Sequence, residues 1–234
     1  MSYTKRFDGR KFDEIREMDC KVGVVKNADG SAMFRFGDTI AIAAVYGPKQ
    51  LHPQHMQNPQ KGVLRCNYDM LSFSVPERKK PGPSRRSQEI SKVTEWALSN
   101  AVDLDAYPNT VVDVHIMILQ ANASTRCAGI NAASLALAHA GVTMKEMVSA
   151  VSIGKIDDKI VVDVSKEEED YEDGEGATDI PFAFGSRSHE IGLFQLDGKI
   201  RPRELKEAMY AGKVACEEIY ELQKKALKAT GVEK

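Results

Sequence analysis

The chain has 234 residues, of which 42% are hydrophobic and 28% charged, with a formal net charge of −2. That is the make-up of an ordinary globular protein, long enough to bury about 70% of its unfolded surface. It excludes a protein coated in basic charge but not one that gathers cations in a single groove. No run of about 18 apolar residues is present, which argues against a membrane span. The charged opening MSYTKRFDGRKFDEIREMD lacks an apolar signal core, so a cytoplasmic protein with no membrane contact is expected. Cys20, Cys66, Cys127 and Cys216 lie far apart in apolar contexts without zinc-site spacing, and read as buried, reduced thiols.

Residues 18–47 read as a β-meander: CKVGVVKNADG ends in a turn, SAMFRF follows, and Gly37-Asp38 turns the chain into TIAIAAVYG. PKQLHPQHMQNPQK, residues 48–61, has no period and reads as a loop. In the next strand, 62–73, Leu64, Cys66 and Tyr68 alternate with Arg65, Asn67 and Asp69. Ile90, Val93, Ala97 and Ala101 recur at helical spacing, predicting an amphipathic helix from about Arg85 to Leu104 that starts after Pro83-Ser84. NTVVDVHIMILQA is a strand of the fully buried kind, and a small-residue helix closed by Gly141 follows it. Segments 148–156 and 159–164 form a hairpin through Asp157-Asp158. DIPFAFG and IGLFQLDG are two more strands. A long helix opened by Pro202 carries Leu205, Met209, Gly212, Cys216, Ile219, Leu222 and Ala226 on one face. The order predicts one α+β unit over 1–234, with pseudo-two-fold βα halves.

Three stretches carry chemistry. In QANASTRCAGINAASLALAHAG a helix begins at Ser124 and Thr125 with Arg126 in its first turn. A helix N-terminus offers unpaired N–H groups and partial positive charge, hydroxyls add donors, and a guanidinium suits phosphate oxygens. A plain capped helix whose arginine pairs with a carboxylate fits the same residues. In PERKKPGPSRR, Arg85 and Arg86 stand in a helix's first turn, where the macrodipole disfavours cations. Either an anion binds between them or the loop is simply solvated. KEEEDYEDGEGATD holds eight acidic residues in fourteen, most of them expected in solvent. Asp179 differs, because it stands where this loop meets an apolar strand, and Asp173 lies six residues before it. A strand-start aspartate, general acid work and divalent metal binding are all compatible with that position.

The segments NADGSA, GDTIAIAAVYGP, PSRRSQEISKV, ILQANASTRCAGINAASLALAHAG and ATDIPFAF occur in this order. Together they resemble the ribonuclease PH superfamily over nearly the whole chain, most closely the catalytic ribonuclease PH-like subunits of archaeal exosomes. The resemblance implies the ribonuclease PH fold, which is ribosomal protein S5 domain 2-like. It implies that Ser124, Thr125 and Arg126 form a phosphate-binding turn, that Arg86 contacts the same phosphate, and that Arg85 grips the RNA backbone near its 3′ end. Asp179 matches the catalytic aspartate and Asp173 a second carboxylate, the two being linked to Mg²⁺. The acidic loop is several residues longer than the family pattern, which leaves Asp173 and Asp170 as alternatives for that position. The residue before Thr125, often glycine in the family, is Ser124 here. The loop 48–61 matches the RNA entrance, which makes His52 and His55 RNA contacts.

The implied activity is 3′→5′ phosphorolysis of single-stranded RNA to nucleoside diphosphates, with inorganic phosphate as co-substrate and tailing in reverse. The implied assembly is a six-membered ring, three copies alternating with an inactive homologue, beneath RNA-binding cap subunits. The alternatives are a homohexamer trimming transfer-RNA 3′ ends and a non-catalytic RNA-binding ring subunit.

Overall fold

The structure, a computed structural model, describes residues 3–232; the two ends of the unit expected over 1–234 lie outside the described residues. Its elements follow the expected order. Strands β1 (Met18–Val22), β2 (Gly30–Phe36) and β3 (Thr39–Gln50) form the antiparallel meander. β4 (Val63–Met70) and β5 (Thr110–Gln120) pair in parallel, with helix α1 (Arg85–Ser99) making the crossover between them. The first sheet has the order β1-β2-β3-β5-β4. After helix α2 (Thr125–His139) come β6 (Val148–Ile156), β7 (Lys159–Val162), the short helix α3 (Lys166–Glu169), β8 (Ala177–Gly185) and β9 (Ile191–Phe194). These four strands make a second, antiparallel sheet in the order β7-β6-β8-β9, and α4 (Pro202–Val232) closes the chain.

α2 is the axis of the molecule. Twelve of its fifteen residues are buried, because it packs on β2, β3 and β5 of one sheet and on β6 and β8 of the other. A helix enclosed on all sides must be apolar and small around its whole circumference, which the run of Ala, Gly, Cys and Leu supplies. Two of its buried polar residues settle a backbone account. β7 reaches only the second half of β6, from Ile153 to Ile156. Asn131 therefore bonds both backbone groups of Ala150, at 2.8 and 2.7 Å, and Ser134 accepts the Val148 N–H at 2.9 Å. Gly30 lets β2 reach the far end of the same helix, since a Cβ there would lie 2.4 Å from the Ala140 nitrogen.

α1 ends five residues before the expected Leu104. Ser99 and Asn100 are poor helix formers, and the residues beyond them bond elsewhere: Asp103 N–H to the Thr143 carbonyl at 2.9 Å, and Lys145 N–H to that of Ala101 at 2.7 Å. The larger departure is in the acidic stretch, where α3 forms and Glu168 is wholly buried. Glu168 accepts the Tyr3 hydroxyl at 2.7 Å, Arg6 Nε and Nη2 at 2.8 Å each, and the Ser165 N–H at 2.9 Å. Arg6 spends its remaining donors on the carbonyls of Lys11, Glu14, Val162 and Asp163. The charged N-terminal segment is thus a strap bolted to α3 and to the end of β7. Among the described residues no helix is long and apolar enough to cross a membrane.

Candidate active site

Residues from both sheets and from α1, α2 and α3 line one cleft of about 1340 Å³. One wall is the start of α2. β5 ends at Gln120, and the chain reaches the helix through Ala123 and Ser124, both left-handed at φ +52° and +51°. Neither is glycine, so the surroundings must hold this strained path. Thr39 Oγ1 lies 2.8 Å from the Asn122 carbonyl and 2.9 Å from that of Ala123, and Arg16 Nη1 donates to the Asn122 carbonyl at 2.6 Å. The Lys166 N–H bonds Asn122 Oδ1 at 3.0 Å.

The turn leaves the first turn of α2 without a side-chain cap, because Ser124 supplies none. Its hydroxyl instead lies 3.2 Å from Asp163 Oδ1 and 3.2 Å from the Val164 carbonyl, groups that do not line the cleft. The expectation that Ser124 adds a hydroxyl donor at the cap is corrected here: the left-handed backbone turns it toward β7. The first N–H groups of a long helix therefore face the cleft, with Thr125 and Arg126 lining it beside them. Arg126 bonds the Gln195 side-chain oxygen and lies 3.9 Å from Glu89; Gln195 in turn donates to Glu89 at 3.0 Å.

Another part of the lining comes from the start of α1. Ser84 accepts the Ser87 N–H at 3.0 Å and caps that helix, while Arg85 and Arg86 are exposed, line the cleft and pair with no carboxylate among the described residues. Lys79 and Lys166 add cations from the preceding loop and from α3.

Asp179 lines the same cleft, placed by β8 against β6. Its backbone is pinned by two bonds of 2.9 Å exchanged with Asp197, and its carboxylate accepts the Ser152 hydroxyl. Burial raises its pKa above the ordinary carboxylate value; the Ser152 bond and the Arg126 charge oppose this without cancelling it, and the charges of Glu169 and Asp197 add to it. A carboxyl of that kind can carry a proton beside an anion-binding surface.

The cleft thus brings together Ser124, Thr125, Arg126, Arg85, Arg86 and Asp179. It does not include Asp173, which lies exposed in the turn closed by the Gly176 N–H on its carbonyl at 3.0 Å. Of the two alternatives it is Asp170, at the end of α3, that lines the cleft. His52 and His55 are exposed in the loop between β3 and β4, outside the cleft. Sequence reasoning missed Lys166 and Asp197. The Ser165-x-x-Glu168 spacing, a helix-start signature, was the available signal for the first.

No three His, Cys, Asp or Glu side chains converge on a metal position among the described residues. Asp170, Asp179 and Asp197 do line the one cleft, a donor set that suits Mg²⁺, which takes one or two carboxylates and completes its shell with phosphate oxygens and water.

Fold and cleft together define a two-sheet α+β protein in which an uncapped helix start and a carboxyl of raised pKa line one cleft. Residues 14–143 match the first domain of the 3′ exoribonuclease family, RNase PH, and residues 146–215 match its second domain; the chain belongs to that family. Its relatives include the exosome complex component Rrp41 of Methanopyrus kandleri, 48% identical over 95% of this chain and 92% of that protein. The Rrp41 of Thermococcus kodakarensis is 50% identical over 96% of this chain and 88% of its own length. Among solved structures, rice Rrp46 superposes with a TM-score of 0.85 at 24% identity, over 95% of this chain and all of that one. The Archaeoglobus fulgidus exosome with RNA bound to its active site superposes at 0.80 and 23% identity, covering 93% of this chain and 92% of that one. Both likenesses confirm the α+β ribonuclease PH fold.

Proposed function

We propose that this chain is the catalytic subunit of an archaeal-type exosome, a phosphate-dependent 3′→5′ exoribonuclease acting on single-stranded RNA. The observation that carries this reading is the cleft itself: it is lined by an uncapped helix start with Thr125 and Arg126, by two arginines that pair with no carboxylate among the described residues, and by a partly buried carboxyl of raised pKa. The identity of about half to exosome components over nearly the full chain supports the assembly.

Inorganic phosphate sits on the α2 N–H groups, Thr125, Arg126 and Arg86, and attacks the last phosphodiester. A new P–O bond forms as the bond to the penultimate 3′ oxygen breaks, releasing a nucleoside 5′-diphosphate. Asp179 delivers its proton to the departing oxygen. Nucleophile and target are both anionic, so the arginines offset their repulsion and hold them in line. Mg²⁺, held by Asp170 or Asp197, would supply further neutralising charge and leave Asp179 to carry the proton. The bond made and the bond broken are alike, so excess diphosphate drives tailing in reverse. The partners in this reading are an inactive homologue, alternating with this chain in a 3+3 ring, and RNA-binding caps. The setting is cytoplasmic.

The test is the nucleotide released from an oligoadenylate labelled in its adenosines by the complex purified from its native cells, with Mg²⁺ and with or without phosphate. Phosphate-dependent ADP is expected; AMP, or bound RNA without release, would move the chain to the non-catalytic class. Arg85→Ala separately tests the RNA grip. Arg85 is exposed on the cleft and pairs with no carboxylate among the described residues, so its loss should weaken oligoadenylate binding and flatten the slope of log K against log salt by about 0.7, one phosphate contact. Binding titrations at several salt concentrations read this directly, and an unchanged slope removes Arg85 from the RNA path.

A further inference from the structure

The Asp163 carboxylate is fully buried and stands behind the phosphate turn. It accepts Arg16 Nε and Nη2 at 2.7 Å each, the Arg16 backbone N–H at 2.9 Å and the Ser124 hydroxyl at 3.2 Å. Arg10 Nη1 approaches it at 3.5 Å. Arg16 reaches past it to the Asn122 carbonyl, so one ion pair touches the turn at two successive points. The strain is concentrated at the same place. Ala123, Ser124 and Asp163 all hold left-handed backbone, at φ +52°, +51° and +55°, and none is glycine. Such residues persist only where their surroundings over-determine them. Here the surroundings are a buried, charge-assisted network that none of the chemical steps uses.

We propose that Arg16 and Asp163 are positioning residues for phosphate, and that the Ser124 hydroxyl is their handle on the turn rather than a phosphate ligand. The inference rests on the phosphorolytic reading of the cleft. By holding Ser124 left-handed, the pair keeps the first N–H groups of α2 uncapped and aimed at the nucleophile's site. Without that bond a residue bearing a Cβ relaxes toward ordinary backbone, and the donors leave their alignment. Glycine accepts positive φ without such help. Ser124→Ala and Ser124→Gly therefore give opposite results, although both remove the hydroxyl.

The experiment is steady-state phosphorolysis of oligoadenylate by the full chain with its native partners, at varied phosphate. Calorimetric binding of inorganic phosphate to the same proteins accompanies it. Ser124→Ala should raise KM for phosphate about tenfold, the scale of a lost hydrogen bond to a charged group, with little change in kcat or in RNA affinity. Ser124→Gly should return KM to within about threefold of the parent, and phosphate Kd should follow the same order. Asp163→Asn should match Ser124→Ala in KM; its melting curve shows whether it folds, and the serine pair stands without it. Equal impairment in the Ala and Gly variants would mean that the hydroxyl touches phosphate itself, and would overturn the proposal. So would an unchanged KM in Ser124→Ala. A parent protein that binds phosphate with this variant order but releases no diphosphate would sink the reaction and leave the positioning intact. A parent that binds no phosphate would sink both.

Discussion

Asp179→Asn should lower phosphorolysis about 10²- to 10⁴-fold, the usual contribution of a positioned proton donor, while RNA binding stays near its original strength. The amide keeps an oxygen for the Ser152 hydroxyl and fills the same space, so the loss belongs to the proton and the charge. The pH dependence separates the two. The pKa of Asp179 is raised by burial, and the protonated form is the competent one. The parent rate should fall as pH rises through that pKa, whereas the residual rate of the variant should lack this limb. Parent and variant are compared side by side at each pH, so that the titration of phosphate itself cancels. Stability should move the same way. Between the unfolded value and the raised folded value the native state binds the extra proton, so stability falls as pH rises through that window. Above it, an ionised Asp179 weakens the fold. Asp179→Asn should therefore melt at or above the parent temperature at neutral pH. Turnover at the parent rate would remove Asp179 from the chemistry.

The largest stability effect should come from Glu168→Gln. Its carboxylate and the Arg6 guanidinium are buried together, with bonds of 2.8 Å to both Nε and Nη2. Removing one charge leaves the other without its partner in the interior, which typically destabilises by about 3–5 kcal/mol. Burial alone would raise the Glu168 pKa, but the bonds from Arg6, the Ser165 N–H and Tyr3 outweigh it and hold the group below the ordinary carboxylate value. A depressed folded pKa contributes stability above the unfolded value and loses it as pH falls through the folded one. The parent should accordingly soften in acid over that window, and the variant should start lower and change less. Urea unfolding at neutral and acidic pH measures both. Because α3 carries Lys166, Glu169 and Asp170 on the cleft, the same variant should also loosen that wall. A loss below about 1 kcal/mol would mean that the strap is held by its carbonyl bonds instead.

Periodicity and turn chemistry were enough to read the meander, the hairpin at Asp157-Asp158, the two long helix faces and the positions of Arg85, Arg86, Thr125, Arg126 and Asp179. Each of these depends on neighbours a few residues away: alternation for strands, three-to-four spacing for helices, Gly-Asp and Asp-Asp for turns. The end of α1 was misplaced because it is set by pairing with residues 143–145, far along the chain. α3 went unread because charge density suggested solvent, whereas Glu168 is neutralised by an arginine 162 positions earlier.

Residue types and local order alone determined that a helix start rich in donors follows a buried strand, and that an aspartate opens a later one. Only the tertiary structure decided that these face one cleft, that Asp170 rather than Asp173 lines it, and that the Ser124 hydroxyl is turned toward Asp163. Those outcomes depend on contacts between segments 39 to 165 residues apart. Long-range partners such as these leave no period in the chain. They are settled by the need to pair every buried charge and backbone polar group when the two sheets close on α2.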